Sequence, residues 1–135
     1  MHELLDAILD TLIPPSEDGR MPGAGSLGLA AAVAEETKAA GEVVAAGLAA
    51  AEAAGFAERD LEGRVALLRD LESSQPAFVP TLFFTTCAAY YQHPKVLVGL
   101  GLEPRPPHPK GYALEPGNLD ALERVRARGK LYRDA

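Results

Sequence analysis

The side chains able to do chemistry are few here and poorly grouped. Three histidines occur, His2, His93 and His108, and none has a second ligand three or four residues away, the spacing a helical metal site uses. His93 stands before Pro94 at a predicted helix end and His108 lies among prolines, so both read as surface or capping residues. Cys87 is the only cysteine, which excludes an internal disulfide and a cysteine-rich zinc site. It falls on an apolar stripe and reads as a small buried hydrophobe. The stretch GAGSLG at residues 23–28 has the glycines of a phosphate loop, but it follows no strand and lacks the third-glycine context of a dinucleotide site. It reads as a helix-entry turn. Glu35 and Glu36 read as a solvated helix face. No Ser-His-Asp or Cys-His order can be assembled, and no basic, aromatic stripe suits a nucleic acid. These residues point to binding rather than catalysis.

The element that organises the chain is residues 76–101, PAFVPTLFFTTCAAYYQHPKVLVGLG, with three of the four phenylalanines and two of the four tyrosines. Phe78, Leu82, Phe83, Thr86, Cys87, Tyr90 and Tyr91 recur at steps of three and four, predicting a helix with one broad apolar stripe. Pro76 suits its first turn. His93-Pro94 ends it, because a residue before proline is pushed out of the α region. A second short apolar run, Lys95 to Leu100, stops at Gly101.

The remaining segments must pack onto that helix. His2 to Ile13 predicts an amphipathic helix, with Leu4, Leu5, Ile8, Leu9 and Leu12 on one side and acids on the other. Pro14-Pro15 stops it, and a turn-rich connecting loop runs to Gly25. Ser26 is placed to cap an alanine-rich helix from Leu27 to about Ala54. Gly41 and Gly47 mark a kink or a close helix contact in it, and Gly55 suits a left-handed end. Asp60 begins the next helix, with Leu61, Val65, Leu68 and Leu71 at helical spacing. Residues 102–116 hold five prolines and predict an extended strap along the bundle, pinned by Leu102, Tyr112 and Leu114. Asn118 caps a final helix to about Arg128, with Leu119, Leu122 and Val125 inward. Arg124, Arg126, Arg128 and Lys130 crowd its end, where positive charge complements the helix dipole.

The expected fold class is therefore all-α: a compact bundle of about five helices in one domain, 1–135. A proline-rich extended segment, 102–117, precedes the C-terminal helix and basic tail, 118–135. That length suffices to remove about two-thirds of the unfolded surface from water. No run of about 18 apolar residues predicts a membrane span. Glu3, Asp6 and Asp10 oppose a signal peptide, so a cytoplasmic location is expected. Residues 1–103 carry 6 basic and 15 acidic side chains, whereas 104–135 carry 7 and 4. The acidic body argues against nonspecific nucleic-acid binding, and the basic tail suits either an acidic partner or its own body.

Taken together, Leu12-Ile13-Pro14-Pro15, Pro22-Gly23-Ala24, Phe78 and Leu82, the run TCAAYYQHP from Thr86 to Pro94, and Gly111-Tyr112 give the chain a pattern that resembles the gluconate 2-dehydrogenase subunit 3 family. The order and spacing agree from about residue 4 to 113. Residues 104–116 stand where the family carries a tryptophan-bearing stretch. The resemblance implies a noncatalytic small subunit that supports maturation or stability of a large flavin-dependent dehydrogenase of the glucose-methanol-choline (GMC) oxidoreductase type. It places FAD and the oxidation of a sugar or alcohol on that partner, and no cofactor or metal on this chain. Exported family members carry a twin-arginine leader; none is read in this sequence, so the expectation is either a cytoplasmic partner or an export role that was lost or never existed here.

Tyrosines are enriched where interfaces concentrate their energy, and an extended proline strap loses little entropy on binding. The expected partner-binding residues are Tyr90, Tyr91, Pro94, Tyr112, Arg126, Arg128 and Tyr132. For the tyrosines, the competing role is to staple the strap to its own bundle. A free-standing small-molecule-binding domain with a pocket beneath the strap is the alternative function.

Overall fold

The computed structural model describes residues 2–106, 108–111, 113–114 and 117–129. The chain divides into two compact units, residues 1–105 and 106–135. Among the described residues it is all-helical: α1 (His2–Leu12), α2 (Ala30–Glu36), α3 (Gly41–Ala53), α4 (Leu61–Ser74), α5 (Phe78–Tyr90), α6 (Pro94–Gly99) and α7 (Glu123–Arg126). The expected helical bundle is the first unit, α1 to α6. In it α5 is central and packs against α1, α2, α3 and α4. No helix among the described residues is long and apolar enough to cross a membrane.

The alanine-rich segment is two helices rather than one. The chain bends at Thr37, whose hydroxyl is buried and donates back to the carbonyl of Val33 at 2.7 Å. A hydroxyl bonded in this way competes with the helix ladder and bends it, and a 3₁₀ turn, Lys38–Ala40, follows before α3. Ser26 also departs from its expected capping role. It sits inside a 3₁₀ turn, Gly25–Leu27, and its hydroxyl donates to the carbonyl of Gly23. Left-handed Gly28 separates that turn from α2.

Both close features of α3 follow from glycine. Gly47 is buried, and any Cβ there would overlap the ring of Phe78. The missing side chain lets α3 lie directly on α5, as its sequence position allows. At the other end Gly55 takes φ +66°. The amide of Phe56 then reaches the carbonyl of Ala51 and that of Gly55 the carbonyl of Glu52, closing the helix with the paired bonds of a Schellman motif. Phe56 is fully buried by this turn, and the guanidinium of Arg64 lies 5.6 Å above its ring. Asp60 caps α4, accepting from the amide of Gly63.

The core is drawn from every helix of this unit. Leu5, Ile8 and Leu9 come from α1, Val33 from α2, Leu67, Leu68 and Leu71 from α4, and Phe78, Leu82 and Tyr90 from α5. Leu61 and Val65 are displaced from this set: Leu61 opens α4 and is exposed, and Val65 is half-buried. The stripe of α5 is narrower than its sequence suggests. Phe78, Leu82, Thr86 and Tyr90, one residue per turn, are buried, whereas Phe83 and Tyr91 are not.

In the second unit Asn118 caps as expected, accepting from the amide of Asp120, but it opens a 3₁₀ turn, Leu119–Leu122, and the α-helix behind it has four residues. Leu119, Leu122 and Val125, expected inward, are exposed. Among its described residues this unit has one 3₁₀ turn and one α-helical turn, which offer too little surface to cover them. No regular structure occurs among the described residues of 102–117. Leu102 and Leu114, expected as pins, are exposed there. Tyr112, Lys130 and Tyr132 lie outside the described residues, as does the side chain of His2.

The contact between Gly47 and Phe78 yields a direct test. Gly47→Ala would raise helix propensity in α3, yet overpacking against the ring should lower stability by about 1–3 kcal/mol. Chemical denaturation should show this loss, and Phe78→Leu in the same chain should recover part of it in a double-mutant cycle.

Candidate functional site

Three of the sequence patterns meet at one end of the bundle. The loop after α1 folds back, so that the amide of Ala24 donates to the carbonyl of Ile13 at 3.0 Å. Within the loop, Ser16 and Met21 bond to each other through both backbone groups and the serine hydroxyl. Asp18 accepts from that hydroxyl and from the amide of Arg20. These bonds, the hydroxyl's first, hold the Asp18 carboxyl below the usual range. The phenol of Tyr90 donates to the carbonyl of Pro22 at 2.8 Å, joining the end of α5 to the loop. Burial pushes the pKa of that phenol up.

The acids of α1 are not all on a solvated face. Asp6 and Asp10, one turn apart, are half-buried under residues 23–25. Asp10 Oδ1 accepts from the amide of Gly25 at 2.8 Å. A Cβ on Gly23 would meet the Asp10 carboxylate, and one on Gly25 would meet the backbone carbonyl of Asp6. The two glycines therefore serve close packing of the loop on α1, which fits a helix-entry turn rather than a phosphate loop. Two acids four residues apart, ahead of a Gly-x-Gly, were the available signal for this contact.

From that rigid end, α5 and α6 present an apolar outer surface. Tyr91 stands edge-on to Tyr90, with ring centroids 5.2 Å apart, and is 53% exposed. Phe84 is 77% exposed and Phe83 48%. Phe84 and Tyr91, seven residues apart, lie on one side of the helix, and Pro80 and Ala88, both exposed, lie on the same side. Pro94 opens α6 and is exposed. His93 caps α6, its Nδ1 accepting from the amide of Lys95. Cys87 is half-buried, and burial pushes its thiol up, so at neutral pH it is held as the weakly nucleophilic thiol.

A hollow of about 540 Å³ lies elsewhere in the first unit, between α1, α2 and α3, with Leu82 of α5 at its base. It is lined by residues between Leu4 and Leu82, whereas the expected pocket was one beneath the strap.

Of the expected partner-binding residues, the structure brings Tyr90, Tyr91 and Pro94 together. Tyr90 is only 2% exposed and ties α5 to the loop after α1 through Pro22, rather than stapling the strap to the bundle. Tyr91 and Pro94 are available at the surface. Arg126 and Arg128 are exposed in the second unit, and Tyr112 and Tyr132 lie outside the described residues. Phe83 and Phe84 were not singled out as surface residues. Their signal was that α5 is apolar on every side, which in a small bundle leaves one side uncovered. Among the described residues, no three His, Cys, Asp or Glu side chains are grouped as a metal site would need.

Comparison with known proteins adds no further identification: no family model, no curated protein and no solved structure matches this chain.

The Tyr90 staple can be tested alone. Tyr90→Phe keeps the buried ring and removes one hydrogen bond, which should cost about 0.5–1.5 kcal/mol. In urea denaturation the midpoint should fall with the slope unchanged.

Proposed function

We propose that this chain is a noncatalytic small accessory subunit that binds a large FAD-dependent oxidoreductase of the GMC type and supports its maturation or stability. FAD and the sugar or alcohol substrate belong to the partner. The observation that carries the binding part is the outer face of α5, where Phe84 and Tyr91 stand exposed on one side of a helix that is apolar all round. Isolated exposed apolar residues are ordinary, but aligned aromatic rings on a rigid helix suit an interface. Each ring offers a large contact at small entropic cost, the property that concentrates binding energy in aromatic anchors.

The kind of partner follows from the family resemblance. The hydrogen bond between Tyr90 and Pro22 supports that reading, because it joins two separate stretches carrying the resemblance. Arg126 and Arg128 supply exposed positive charge of the kind that steers association with an acidic partner.

The tagged full chain, recovered gently from its host, should bring with it a large chain with flavin absorbance. Phe84→Asp should weaken that association at least tenfold, the scale of an interface hot spot, while leaving the thermal midpoint of the isolated chain within a degree or two, as expected at so exposed a site. Recovery of the chain alone, or a flavoprotein indifferent to Phe84→Asp, would overturn the proposal.

A further inference from the structure

The outer side of α5 is symmetric about Phe84. Ala77, Pro80, Phe84, Ala88 and Tyr91 are all exposed. Ala77 and Tyr91 flank the helix and keep right-handed helical torsions, so the five positions continue one helical register. Steps of three, four, four and three hold them in one narrow stripe. The spacing is the same from either end. Ala77 and Tyr91 stand seven residues either side of Phe84, and Pro80 and Ala88 stand four.

A stripe with this symmetry fits an antiparallel copy of itself. A two-fold axis through Phe84 sets that ring against its own counterpart, Ala77 against Tyr91, and Pro80 against Ala88. The ring at one end then meets a methyl group at the other, the large-on-small match of an interdigitated contact. The two Phe84 rings meet on the axis, where they can stack with an offset. Every other pairing occurs twice, as an isologous contact requires.

Charge favours this face over the rest of the first unit. Residues 1–103 carry 15 acidic and 6 basic side chains, whereas 73–102 carry no Asp or Glu and one Lys. Two acidic bodies repel each other where their carboxylates approach, and α5 contributes none to the contact. We infer that, away from its partner, the chain pairs with a second copy of itself along the outer side of α5, antiparallel and with Phe84 on the two-fold axis. One helix from each copy, with Phe84 77% and Tyr91 53% exposed, buries less than the roughly 1,200 Å² at which stable interfaces begin. The pair is therefore weak, with a dissociation constant on the order of 100 µM. It rests on the partner reading in one respect: the same face serves both, so the flavoprotein must displace the second copy.

Sedimentation velocity of the purified full chain should show monomer at about 5 µM and dimer at about 1 mM. Phe84→Asp should stay monomeric throughout, because two carboxylates then meet on the axis. Register is tested by mild oxidation with oxidised glutathione in a Cys87→Ala chain. Ala77→Cys mixed with Tyr91→Cys should form a disulfide-linked dimer about tenfold faster than either variant alone, since the axis brings each position to the other and raises their local concentration. A chain that is monomeric at the higher concentration, a dimer that survives Phe84→Asp, or a mixture that cross-links no faster than its components overturns the assignment. Both measurements use this chain alone. A monomer at every concentration thus leaves the partner reading standing, and failure to recover a flavoprotein leaves the pair standing.

Discussion

The first unit closes around the contact between a bare stretch of backbone and an aromatic ring. Gly47 offers no side chain, the ring of Phe78 lies where a Cβ would be, and the backbone of α3 rests directly on that ring of α5. Full burial of such a ring is worth about 1.5–3 kcal/mol, but its geometric consequence is larger. With α3 fixed on α5, α2 can reach the same helix only if the chain turns between them. The buried hydroxyl of Thr37 and the 3₁₀ turn behind it make that bend. The helix that organises the sequence therefore also organises the fold, through its smallest neighbour.

Apart from Asp6 Oδ1, which is buried without a hydrogen-bond partner, the polar groups withdrawn from water divide into those satisfied locally and those that tie distant segments together. Thr11, Thr37 and Thr86 each return a hydroxyl proton to the carbonyl four residues earlier. Such bonds satisfy a buried group and set bends without choosing a neighbour. Two others do choose one. Asp10 holds the amide of Gly25 and Tyr90 holds the carbonyl of Pro22. Between them they fix the loop after α1 against both α1 and α5. Leaving the buried Tyr90 phenol unpaired would cost more than the bond contributes, so these two contacts favour one conformation of the loop.

That rigidity bears on the proposed role. A surface already held in one conformation loses little entropy on binding, and the outer side of α5 is held from beneath by Phe78, Leu82, Thr86 and Tyr90. The inner stripe of the same helix builds the core, and its outer rings stay exposed, where the proposed partner would meet them. The open hollow along α3 reflects a different compromise. The small residues of α3 that line it, Gly41, Ala45 and Ala49, do not reach across to Leu4 and Leu5 and leave space there.

Much of the fold was legible along the chain. The helix stops at Pro14-Pro15, Gly55, His93-Pro94 and Gly101, and the caps at Asp60, His93 and Asn118, are local chemistry, decided by φ, by a missing amide proton or by a short polar side chain. So were the central place of the aromatic helix and the irregular character of the proline-rich segment. What sequence reading misplaced was sidedness. An apolar residue at helical spacing is compatible with burial, but only the neighbouring helices decide whether it is covered. Phe83, Leu61 and Val125 look alike in sequence to Phe78, Leu68 and Leu71, yet the first three face solvent. The half-burial of Asp6 and Asp10 needed the loop to return over them, and the open hollow needed three helices in place. The sequence by itself determined most of the places where helices stop, because those events are settled within a few residues; the bend at Thr37 and the short last helix were not read from it. Only the tertiary structure decided which faces meet, because covering a surface requires partners that lie far away along the chain.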